Sequence, residues 1–423
     1  MFNTLTAISS LLISYAFLFS GNSMLLTLLA LRAQQENFPI ILIGCLSAVY
    51  FLGLYLGAKF SSSIVARCGY GRAYAIFAGY GAVCALLHAL IVDPYAWLTI
   101  RLGTGFCIAG LIMVTESWIN AQATRTTRGQ ILSMYMITHF LASGTGQLFI
   151  PFLDASGFQL FSVAAIGYTL SLAPVLLTRL PAPALKARQA FKFREIYAYS
   201  PTAVSGAICC GLTTSAVYGL APVYVQGLGM TTATTAYFMA LFIFSGGLLQ
   251  WPIGRISDHF DRRKLITIMC FASGVVSVVV IFSPGINLIV FLISASFYGA
   301  FSFTIYPIAL AYMNDCVDKT KLLHAAAGML TAYSTGSIIG PILAALAVDL
   351  FGYHFLFVFT ATILLLYAAL VIWRTKVREA PKKKKFSRIG RNGVTQIKRK
   401  TGHKKANDPM DEKADATESN QES

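Results

Sequence analysis

Runs of apolar residues long enough to cross a lipid bilayer recur along the whole of this chain, and that leaves very few folds open to it. They fall at residues 5–31, 40–57, 73–91, 95–118, 131–153, 158–177, 203–225, 233–253, 265–282, 286–312, 322–348 and 355–373. About twelve spans result, each matching a hydrocarbon core of about 30 Å crossed as a helix. In hydrocarbon every backbone N–H and C=O must find its partner inside the segment, which helices achieve and open strands do not. The expectation is an all-α membrane protein. Composition agrees: of 423 residues, 56% are hydrophobic and 12% charged, about half the charge of a soluble domain.

The formal charge of +16 does not point to nucleic acid, because of where it sits. Lys59, Arg67 and Arg72 follow the second span, Arg125 and Arg128 the fourth, and Lys186, Arg188, Lys192 and Arg194 the sixth. Lys319 and Lys321 follow the tenth. The alternate loops hold almost no basic residue except Arg32. Such bias places both termini in the cytoplasm. The start of the chain has no basic region with a small-residue cleavage site, so the run from Leu5 is expected to be retained as the first span. The eight cysteines are scattered without metal-ligand spacing or a disulfide framework, and Cys209 and Cys210 are adjacent filler. No nucleotide loop or metal cluster is legible, so neither an enzyme nor a cofactor is expected.

The segment 178–200, with Pro181, Pro183 and a basic run, divides the spans into two sets of six. The domain reading is a first six-helix bundle at 1–178, a cytoplasmic linker at 179–200, a second bundle at 201–374, and a tail at 375–423. That tail is basic (PKKKKFSRIGRNG) and then acidic (DPMDEKADATESNQES). It cannot bury a core and should be disordered, with its basic part drawn to anionic headgroups.

GRISDHFDRRK at 254–264 is a knot of charge between two spans. Its pattern, Gly254-x-x-x-Asp258-x-x-x-Arg262-Arg263-Lys264, resembles the signature loop of the major facilitator superfamily, found there between helices 2 and 3 and again between helices 8 and 9. The counterpart after span 2, SSSIVARCGYGRAYAI, keeps Arg67, Gly69 and Arg72 but has Ala66 at the acidic position. Other echoes link the halves: ESWIN at 116–120 with YMND at 312–315, and Ala142-x-x-x-Gly146-Gln147 with Gly336-x-x-x-Gly340-Pro341. ESWIN, Arg128-Gly129 and LAYMND are similar to the YcaD-like group of bacterial facilitators. The resemblance implies a bacterial inner-membrane transporter working by alternating access between two bundles about a midplane site.

Within the spans the only carboxylate or guanidinium groups are Arg101 and Glu116. Intramembrane charge marks a functional site by default. Arg101, with Gly105 and Ala109 on the same helix face, resembles the superfamily's fourth-helix motif and is the first substrate or coupling candidate. The competing reading is an arginine snorkelling to the outer interface. His139, near the middle of span 5, is the candidate for carrying a proton. His88 and His354 rank lower. Asn22, Thr213, Thr214, Tyr218, Tyr298, Tyr306 and Tyr333 are polar-tipped residues on helices that the resemblance places around the cavity. Gly105, Gly146, Gly336 and Gly340 are expected at helix contacts, and Pro341 at a bend.

Glu116 lies fifteen residues beyond Arg101, about 22 Å along a helix, too far for a direct pair. It is expected to stay ionised beside Arg128, Arg67 or Arg72, in a cytoplasmic gate with Gly254, Asp258, Arg262, Arg263 and Lys264. Asn120 would bond the helix end and Trp118 anchor the interface. The partners expected are a small neutral, zwitterionic or amphipathic solute, the lipid bilayer and protons, with no nucleic acid and no metal, in a monomer. The alternative is a sensor or scaffold of the same fold that acts through its tail without moving solute.

Overall fold

The computed structural model describes residues 2–124, 127–177, 193–318 and 321–377, with the side chains of 2–7, Arg128 and Leu323 left aside. The basic residues Arg125, Lys186, Arg188, Lys192 and Lys319, and the tail from 378 on, lie outside the described residues.

Long helices follow the apolar runs: α1 Phe2–Gln35, α2 Ile40–Cys68, α3 Tyr70–Leu90, α4 Pro94–Gln122, α5 Arg128–Gln147, α6 Gln159–Leu170 and α7 Leu172–Leu177. After the linker come α8 Phe193–Tyr199, α9 Pro201–Gly227, α10 Thr232–His259, α11 Arg262–Phe282, α12 Leu288–Cys316, α13 Leu322–Phe351 and α14 Phe355–Val377. Their starts are encoded locally. Asp93, Ser200, Thr231, Asp261 and Asn287 each accept a backbone N–H of the following turn, and Pro94 and Pro201 occupy a first position that needs no donor. Gly69, at φ +81°, is the single residue between α2 and α3; a side chain would disfavour that left-handed backbone. Helices α9, α10, α12 and α13 run unbroken through Pro222, Pro252, Pro307 and Pro341. Pro341 therefore does not interrupt its helix, consistent with neighbours satisfying the freed carbonyl.

Eleven helical stretches among the described residues are long and apolar enough to cross a membrane, α6 and α7 counting as one through Ser171. The expected fifth span is the exception. Its helix ends at Gln147, not Leu153, and a 3-10 turn over Ile150–Phe152 follows, with Pro151 at its start. Ser133, Thr138, His139, Ser143, Thr145 and Gln147 dilute its apolar character. The described part of the linker is a helix, α8, which packs on α9 and α13 and buries Ile196 against Gly328.

The helices up to residue 377 form one unit. In it the packing of the first half recurs in the second. Helix α1 packs on α5, and α9 on α13; α2 on α4, and α10 on α12; α3 on α6, and α11 on α14. Between the halves α2 meets α13, α5 meets α10, and α1 meets α9. Small residues permit these approaches: Gly105 lies against the Tyr50 carbonyl, Gly146 against that of Ser20, and Gly336 and Gly340 against the backbone of α9.

Candidate functional site

Arg101 is buried, at 1% exposure, and so does not snorkel. Its guanidinium lies over the Tyr50 ring at 4.5 Å. Cations are attracted to the negative face of an aromatic ring, more so away from water. The Asn22 amide donates to the Tyr50 hydroxyl at 3.1 Å, and the Tyr168 hydroxyl donates to Asn22 Oδ1 at 3.0 Å. Arg101 Nε and Nη1 are buried without a hydrogen-bond partner, and no carboxylate lies within 4 Å among the described residues. The first half thus holds an uncompensated cation inside a cage of tyrosine and asparagine. Sequence reasoning named Arg101 and Asn22 but missed Tyr50 and Tyr168, which carry no distinguishing spacing.

In the second half, Tyr306 of α12 and Tyr333 of α13 meet edge to face at 5.1 Å. Tyr218 of α9 packs on Phe242 and Phe303, and is close enough to Tyr333 and to Tyr50 of the first half for electrostatic interaction. These three and Tyr50 are brought together. Tyr298 is not: it is fully buried, stacked on Phe242 and against Phe357. Thr213 is buried and bonds back to the Cys209 carbonyl at 3.0 Å, and Thr214 is also buried; both pack rather than face a cavity. His88 is buried with Nδ1 on the Cys84 carbonyl at 2.6 Å, and the His354 ring rests on Tyr224 at 5.9 Å.

His139 is half-buried, with Nδ1 3.1 Å from the Tyr15 hydroxyl and its ring edge-on to Phe19 at 4.6 Å. Glu116 departs from expectation at two of its three named partners. It forms no ion pair with Arg67 or Arg72, both of which are exposed; the Arg128 side chain lies outside the described residues. Glu116 Oε1 accepts from the Tyr135 hydroxyl at 3.2 Å. Trp118 is no interface anchor either. At 4% exposure it lies under Tyr70 and Tyr74, because α3 covers that face of α4. Asn120 does bond the helix end, donating to the Glu116 carbonyl at 2.8 Å.

At the loop 254–264 an ion pair forms that the sequence did not reveal. Arg262 meets Asp315 at the end of α12 at 2.9 Å and also donates to the Ala311 carbonyl. Asp258, 70% exposed, reaches the same guanidinium at only 3.6 Å. Asp261 caps α11 through the Arg263 N–H at 2.9 Å and pairs loosely with its side chain at 3.7 Å. Gly254 faces open space, and Lys264 is exposed. A cavity of about 190 Å³ opens here, lined by Gln250, Ser257, Asp258, Thr304 and Pro307 among others; it belongs to this loop and not to the tyrosines.

A helical membrane protein with repeated packing and a charge-poor, tyrosine-lined seam is built like a transporter. The family model of the Major Facilitator Superfamily matches residues 11–315 and 203–407, and the chain belongs to that superfamily. It is a multi-pass membrane transporter and not an enzyme. It is similar to an uncharacterized MFS-type transporter, YcaD, of Salmonella typhimurium, at 26% identity over 82% of this chain and 90% of the relative. YcaD of Salmonella paratyphi A is 25% identical over 88% and 97%. Solved structures share the fold: the nucleoside transporter NupG with TM-score 0.70 and 13% identity, over 89% of this chain and all of that one. A D-xylose–proton symporter aligns with TM-score 0.65 and 17% identity, over 87% and 96%.

Proposed function

We propose that this chain is a secondary active transporter of a small solute, moving it by alternating access between two six-helix bundles, 1–178 and 201–374. Helix α5 serves as the twelfth span, and both termini lie in the cytoplasm of a bacterial inner membrane. The protein acts as a monomer. The observation that carries this reading is the recurrence of helix pairings in both halves, with Tyr50 of the first half and Tyr218 of the second near enough to interact electrostatically. Tyr50, Tyr218, Tyr306 and Tyr333 offer aromatic faces and hydroxyls, and Arg101 behind Tyr50 adds one positive charge. That set suits a neutral, zwitterionic or amphipathic solute with at most one anionic group; a polyanion needs several cations. Arg262, Asp315, Asp258 and Arg263, with Lys264 and Gly254 of the same loop, form the second-half side of the cytoplasmic gate; Arg67, Arg72, Arg128 and Asn120 belong to its first-half side. Protons are the coupling ion.

Thermal-shift screening over metabolite classes, followed by flux of the stabilising compound into proteoliposomes, tests this. Saturable flux supports it. Stabilisation by di- or triphosphates alone would sink the solute class, and tight binding with no flux would make the chain a sensor.

A further inference from the structure

Four side chains from three helices stand in a row that the transport reading does not yet use. Glu116 of α4 accepts from Tyr135 of α5 at 3.2 Å. The Tyr135 ring lies 4.5 Å from that of Tyr15 on α1, centroid to centroid, and the two phenols interact through their side chains. Tyr15 in turn meets His139 Nδ1 at 3.1 Å. The ends of the row are less covered than its middle: Glu116 is exposed and His139 half-buried, while Tyr15 is 2% and Tyr135 3% exposed. Water cannot pass such a pair of hydroxyls, but a proton can.

From these contacts we infer that Glu116, Tyr135, Tyr15 and His139 form the proton path of this transporter, an inference that rests on the secondary-transport reading. The two titratable ends sit at different depths. Glu116 is six residues from the end of α4, about 9 Å, whereas His139 is eleven residues into α5, about 16 Å from the same loop. The step balances. Protonated His139 gives its Nδ1 proton to the Tyr15 oxygen, Tyr15 gives its own to Tyr135, and Tyr135 gives its own to the Glu116 carboxylate. Each tyrosine gains one proton and loses one, so neither becomes a phenolate; His139 ends neutral and Glu116 protonated. The reverse sequence carries a proton from Glu116 to His139, toward the middle of the membrane.

The surroundings suit a group that must change charge. Among the described residues Glu116 pairs with no lysine, arginine or histidine and His139 with no acid; the side chains of Arg125 and Arg128 lie outside them. The groups that act on Tyr15 from outside the row are Tyr50 of α2 and Tyr74 of α3. Phe19 and Phe140 flank the imidazole. A carboxylate fixed beside an arginine would stay ionised, and a latch needs that; a carboxylate held only by a phenol is free to take a proton.

The test uses the full chain in lipid nanodiscs with ¹⁵N-histidine, the His139 signal being assigned by its loss in His139→Gln. Because the sites are linked, Glu116→Gln should move the His139 titration midpoint by about half a pH unit or more. Tyr15→Phe keeps the ring and breaks the chain of hydroxyls, so the Glu116→Gln shift should vanish in that background; Tyr135→Phe serves if Tyr15→Phe does not fold. A His139 midpoint indifferent to Glu116→Gln, or a shift that survives both tyrosine changes, overturns the path. No solute is needed, so a linked titration in a chain that moves no compound would count against the transport reading alone.

Discussion

At the scale of single residues, Arg101 has the most unusual position. Isolated buried charge is expensive, and a protein tolerates it where function demands it. Two of its nitrogens are unsatisfied, and the face of Tyr50 compensates only in part. Arg101→Met should therefore raise the melting temperature, by roughly 2–4 °C per kcal/mol gained, while abolishing flux. Fluorescence-monitored melting in detergent beside vesicle uptake checks both, and a mutant less stable than the parent contradicts the account of an uncompensated charge. Tyr50→Phe keeps the ring under the guanidinium and removes only the hydroxyl that receives the Asn22 amide. It should weaken solute binding severalfold, in line with about 1 kcal/mol for one hydrogen bond, and leave folding intact; isothermal titration with the solute found by screening reads it.

At the scale of elements, the proposed gate rests on how α11 meets α12. An exposed i,i+4 pair such as Asp258–Arg262 is worth about 0–1 kcal/mol. The Arg262–Asp315 contact is shorter, less exposed and backed by the Ala311 carbonyl, so it holds the helix ends more firmly. Asp315→Asn should accelerate amide exchange across 255–263 more than Asp258→Ala does; hydrogen-exchange mass spectrometry ranks the two, and the opposite order removes Asp315 from the gate. The seam between α2 and α13 rests on a different device. A Cβ on Gly44 of α2 would come within 2.6 Å of the Pro341 carbonyl on α13, closer than side-chain carbons are found. Gly44→Val must push those helices apart. Spin labels at their adjoining ends, in a cysteine-free background, should report a longer distance and a larger outward-open population, since a few kcal/mol reverses such a balance.

At the scale of the whole molecule, what the sequence by itself determined is the class and the order of helices. Bilayer thickness and backbone satisfaction act on every span independently of the rest, so apolar length is readable one segment at a time, as are the caps at Asp93, Ser200 and Asn287. The loop at 254–264 was legible for a similar reason, its charge having nowhere to go but an interface. Tyr135 and His139, four apart on one helix face, left a trace that could have been followed. Which polar groups meet was decided only by the tertiary structure. Glu116 takes the Tyr135 hydroxyl, Trp118 is covered by α3, Tyr298 is packed away from the seam, and Asp315 takes Arg262. Each outcome depends on how a helix is rotated against its neighbours, and that rotation is set by small residues such as Gly105 and Gly146 closing onto partner backbones far away in sequence. A span's own residues cannot say which face will be turned inward, because in lipid both faces are apolar and only contact distinguishes them.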